Sequence, residues 1–89
     1  MNYRKIKRHN AHTQTRARHR LGRIFSMDDL KNIRVAIRRG KAEEGASTAP
    51  GITWWRVYYK QAEFFALYDS PSNVIRTVIT PEMYRAGEG

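Results

Sequence analysis

The chain has 89 residues, with seventeen Lys and Arg against eight Asp and Glu, three His and no Cys. That length makes one small domain with one small core, and the lack of Cys excludes disulfide staples, thiolate nucleophiles and cysteine-based zinc sites. A composition of 40% hydrophobic and 11% aromatic residues is enough to fold, and no apolar run approaches a membrane helix or a signal peptide, so the sequence reads as a soluble cytoplasmic protein with no membrane partner.

The charge is one-sided. Residues 1–41 carry thirteen basic and two acidic side chains, a net +11, whereas residues 42–89 carry four basic and six acidic, a net −2. No carboxylate precedes Arg23. A polyanion is the natural partner of such a segment, and its excess of Arg over Lys suits bidentate phosphate contacts.

Residues 1–10 show little periodicity and read as a flexible basic arm, leaving residues 11–89 as a single domain. From Ala11 to about Arg23 the pattern is helical: at 100° per residue His12, Arg16, His19, Arg20 and Arg23 fall on one face, while Ala17, Leu21 and Ile24 fall on a thin apolar one. Gly22 ends or bends this helix. Ser26 followed by Asp28 and Asp29 reads as an N-cap with carboxylates in the first turn, opening a second helix whose Leu30, Ile33 and Ile37 share a face and whose C′ glycine is Gly40. Residues 41–51 are small, polar or turn-forming and read as a mobile loop. Three strand-like runs follow, at residues 52–60, 64–68 and 74–80, separated by hairpin-sized connections. The expected fold class is α+β: two N-terminal helices packed on a three-stranded antiparallel meander, with a fourth strand left open.

The row of imidazole and guanidinium groups is the sharpest constellation. Cleaving RNA without a metal requires a proton to leave the 2′-hydroxyl, a proton to reach the departing 5′-oxygen, and charge stabilisation at phosphorus. His and Arg supply those roles; the same residues also fit a basic face that merely grips phosphate. No cofactor is expected, and neither Asp28/Asp29 nor Glu43/Glu44 has the spacing of a recurrent metal-ligand set. Alternation sends Trp54 and Tyr58 to one sheet face and Trp55, Val57 and Tyr59 to the other, so one set is core and the other is free to stack bases or meet a partner. Arg56 and Arg76 lie within apolar strands, where a side chain opposite the core reaches the open face. With His19, Arg23 and Tyr58 they complete the candidate nucleic-acid contacts.

His12-x-x-x-Arg16-x-x-x-Arg20, the helix start at residues 25–30, Ile37-Arg38-Arg39-Gly40 and the terminal run at residues 74–80 together resemble the small RelE/colicin D-like RNases. The resemblance spans roughly residues 9–84. It implies N-terminal helices on an antiparallel sheet and metal-independent RNA cleavage of toxin type, directed at mRNA or tRNA. It further implies His12 as general base or acid, Arg16 and Arg20 as the phosphate clamp, and Thr77 as a last-strand polar group facing the scissile site. A toxin of this kind needs an acidic antitoxin or immunity protein over its basic half. Two rivals stand beside it: a non-catalytic nucleic-acid-binding domain, and a small phage-type effector that binds a host protein through Trp and Tyr hot spots.

Overall fold

A computed structural model describes the backbone of residues 3–87 and the side chains of residues 10–87. Helix α1 spans Tyr3–Arg16 and runs on into a π-helical turn, Ala17–Leu21, which Gly22 closes in the left-handed conformation at φ 64°. Helix α2 spans Met27–Arg38; four strands, β1 Glu43–Ala49, β2 Ile52–Tyr59, β3 Ala62–Asp69 and β4 Val74–Ile79, form one antiparallel sheet in the order β1-β2-β3-β4, and a short helix α3, Pro81–Arg85, follows β4. The fold is α+β, with two helices before a four-stranded meander and a short one after it.

Helix α2 begins as the sequence predicts. The Ser26 hydroxyl accepts from the Asp29 amide, and Asp29 accepts from the Ser26 amide at 2.8 Å, a reciprocal capping box. Leu30, Ile33 and Ile37 then pack with Ala17 and Phe25 on Val57, Phe64, Ala66, Tyr68, Ile75 and Val78 of the sheet. The opposite sheet face carries its own smaller cluster. Trp54, Phe65 and Ile79 are covered by Met83 and Tyr84 of α3, with the Tyr84 ring stacked on Phe65 at 3.8 Å and 3°.

Three expectations are corrected. The helix expected from Ala11 starts at Tyr3, so the described part of the arm assigned to residues 1–10 is helical. The side chains of Arg4, Lys5, Lys7, Arg8 and His9 lie outside the described residues. The loop expected at residues 41–51 is mostly strand: Glu43–Ala49 pairs with β2, with two register shifts that bend it. Its residues have little strand propensity of their own, and β2 supplies the ladder they join. Gly45 is required there, since a Cβ would lie 2.8 Å from the Tyr84 hydroxyl and 3.1 Å from the Trp54 carbonyl oxygen, and that hydroxyl takes the Ala46 amide at 2.8 Å. Helix α3 is the third difference; its Thr80 cap and Pro81 at the first position are ordinary start signals that follow directly on an apolar strand.

The outer edge of β4 is not left open. Thr13, fully buried, donates its hydroxyl to the Ile75 carbonyl at 2.6 Å, and Arg20 donates to the Val78 carbonyl at 3.2 Å. An edge strand presents unpaired carbonyls to any chain that can pair with it. Helix α1 takes up one of them and the π turn that follows it another, and together they cover that side of the sheet.

Candidate nucleic-acid interface

The contacts of Thr13 and Arg20 orient α1 along β4. Asn10, Thr13 and Ala17 are buried, which places His12 and Arg16, about 40° apart on the helix, together on its flank. There the Arg16 Nε donates to His12 Nε2 at 3.4 Å, a contact that uses the imidazole lone pair. A π turn advances each residue around the axis by less than an α turn. It therefore holds Arg20 back on that same flank and brings Leu21 against the core. The Arg20 guanidinium reaches Thr77 Oγ1 at 3.4 Å besides the Val78 carbonyl. His12, Arg16 and Arg20 thus make one row ending on Thr77 of the last strand.

The remaining candidates sit elsewhere. His19 is exposed within the π turn, whose spacing departs from the regular wheel that aligned it with His12. Arg23 is exposed just beyond, its guanidinium donating to the Gln61 carbonyl at 3.4 Å in the β2–β3 turn. Arg56 and Arg76 do face away from the main helices, yet each is engaged there. Arg56 lies between Glu63 at 2.9 Å and Glu43 at 3.4 Å, which raise its already high pKa, and Arg76 lies 3.1 Å from the buried Asp69. Tyr58 is 73% exposed on that face, whereas Trp54 is buried and Trp55 half-buried.

These pairings make the sequence's charge asymmetry a structural one. Glu43 and Glu63 hold Arg56, Asp29 holds Lys60, Asp69 holds Arg76 and Glu82 holds Arg85, so the basic partners in these pairs all come from the second half of the chain. Arg16, Arg18, Arg23, Arg34, Arg38 and Arg39 in the helical layer have no carboxylate partner among the described residues. For Arg34 burial lowers the guanidinium pKa, and neighbouring Arg38 adds to that effect. Like charges left without counter-ions favour an anion that brings them.

Sequence reasoning missed the buffer between these two halves. Asp29 is nearly buried and accepts from the Lys60 ammonium at 2.8 Å, the Tyr59 hydroxyl at 2.7 Å and the Ser26 amide at 2.8 Å. Those contacts, Lys60 first and Tyr59 next, hold its carboxyl well below the usual carboxylate range. The capping role of Asp29 was readable from the sequence; its tie to the β2–β3 turn thirty residues on was not.

Comparison with known protein families, with curated proteins and with solved structures finds no match to this chain.

Proposed function

We propose that this protein is a metal-independent endoribonuclease that binds the phosphate backbone of RNA along the α1 flank. The observation that supports it is the row His12, Arg16, Arg20 and Thr77, drawn together from the first helix and the last strand. In this reading Arg16 turns from His12 Nε2 to the phosphate, and the lone pair so freed takes the proton of the 2′-hydroxyl, whose oxygen attacks phosphorus. Arg16 and Arg20 stabilise the charge that builds on the phosphoryl oxygens, and the Thr77 hydroxyl donates to one of them. The 5′-oxygen leaves with a proton from solvent, and a 2′,3′-cyclic phosphate remains.

One observation favours a second reading, a non-catalytic RNA-binding domain: Arg20 already serves the edge of β4, which is a structural task. Incubating labelled RNA with the protein in EDTA separates the two. Cleavage to a cyclic phosphate by wild type, lost in His12→Ala with RNA affinity retained, is the expected result. For Arg16→Ala, affinity should fall and the salt slope of binding should flatten by about one unit. Undiminished cleavage by His12→Ala would sink the catalytic assignment, and RNA binding without cleavage by wild type would leave the binder. For an effector that docks through Trp and Tyr hot spots, Trp54 is spent on the core under α3, whereas Trp55 is half-buried and Tyr58 is exposed.

A further inference from the structure

A cleft of about 330 Å³ closes the C-terminal end of the row, lined among others by Arg20, Leu21, Arg23, Glu63, Thr80 and Glu82. Of its two guanidinium groups, Arg20 donates to the Val78 carbonyl and Arg23 to the Gln61 carbonyl. Its two carboxylates differ. Glu63 is engaged by Arg56 at 2.9 Å, whereas Glu82 meets Arg85 at 3.6 Å with both side chains mostly exposed, a pairing that solvent leaves weak.

The ligand that fits such a lining combines an anion for the arginines with hydrogen-bond donors for a carboxylate. A nucleotide does this when its base carries two adjacent donors. Guanine presents N1–H and N2–H side by side, matching the two oxygens of a carboxylate. Uracil presents one N–H between two carbonyl oxygens, which a carboxylate repels. Single-stranded RNA offers these base edges freely.

We infer that this cleft is a guanine-selecting subsite, in which Glu82 reads the base of a nucleotide whose phosphate rests on Arg20 and Arg23. The inference rests on the RNA-directed reading above and adds base selectivity to it. Because mononucleotides suffice to probe it, its test does not depend on cleavage.

The experiment titrates 3′-GMP and 3′-UMP into isotope-labelled protein and follows the amide signals of Arg23, Thr80 and Glu82. Wild type should bind 3′-GMP about tenfold more tightly than 3′-UMP. In Glu82→Gln the carboxamide keeps the length of the side chain but turns a donor toward N2–H, so the two affinities should converge, with 3′-GMP weakened and 3′-UMP unchanged. Unchanged signals from distant core residues such as Leu30 and Ile75 verify that the variant is folded. Equal affinities in wild type, a guanine preference that survives Glu82→Gln, or signals in the cleft that neither nucleotide moves would each overturn the subsite. A guanine preference in a protein that cleaves no RNA refutes the nuclease and keeps the subsite; cleavage without that preference does the reverse.

Discussion

Replacing Asp29 by Asn tests how the helical layer is tied to the sheet. The carboxylate accepts three hydrogen bonds of 2.7–2.8 Å, from Tyr59, Lys60 and Ser26. An amide keeps one accepting oxygen and sets an NH2 against donors, which at a nearly buried position costs about 1.5–3 kcal/mol. For a chain of this size each kcal/mol moves the melting temperature by roughly 4–8 °C, so a fall of roughly 6–24 °C at neutral pH is expected. The pH dependence gives a sharper check. Because the folded-state pKa of Asp29 is depressed, its stabilisation is complete above the unfolded value of about 3.9 and is lost as pH falls through that value toward the lower folded one. Urea unfolding followed by tryptophan fluorescence at pH 7, 5 and 3 should show a gap between wild type and Asp29→Asn that narrows in acid. A gap that stays constant across that range, or no gap at pH 7, would refute the account of this carboxylate.

Two other substitutions probe the elements that frame the site. Thr13→Val removes the donor to the Ile75 carbonyl and leaves a buried acceptor unpaired, so stability should drop by about 1–3 kcal/mol in urea titrations; an unchanged midpoint would mean that α1 does not hold the β4 edge through this bond. Gly45→Ala forces a methyl group onto the Tyr84 hydroxyl and the Trp54 carbonyl, for an expected loss of about 1–3 kcal/mol, and should also shift the near-UV signal of the Phe65–Tyr84–Trp54 cluster.

Much of the fold was legible because it is written locally. Ser26 and Asp29 announce α2, the stripe of Leu30, Ile33 and Ile37 gives its buried face, and the alternation in residues 52–59 assigns Trp54 and Val57 to opposite sheet faces, where both are found. Strand β1 was hidden because Glu43–Ala49 has neither β-branched density nor apolar alternation; pairing with β2 makes it a strand. The π turn was hidden as well, since no residue at positions 17–21 marks a wider helical turn. In the candidate site, the kinship of His12, Arg16 and Arg20 follows from their four-residue spacing, whereas the ion pairs of Arg56 with Glu43 and of Arg76 with Asp69 depend on strand register. That register decides which arginines are left for a ligand.

The grip of α1 on β4 has a consequence for the life of the chain. Thr13 and Ile75 are 62 positions apart, so the helix emerges from synthesis long before the strand it seals. Any shortened form that lacks the first helix would expose a ready seam for a neighbouring polypeptide to stitch onto, turning a self-contained domain into a template for fibres.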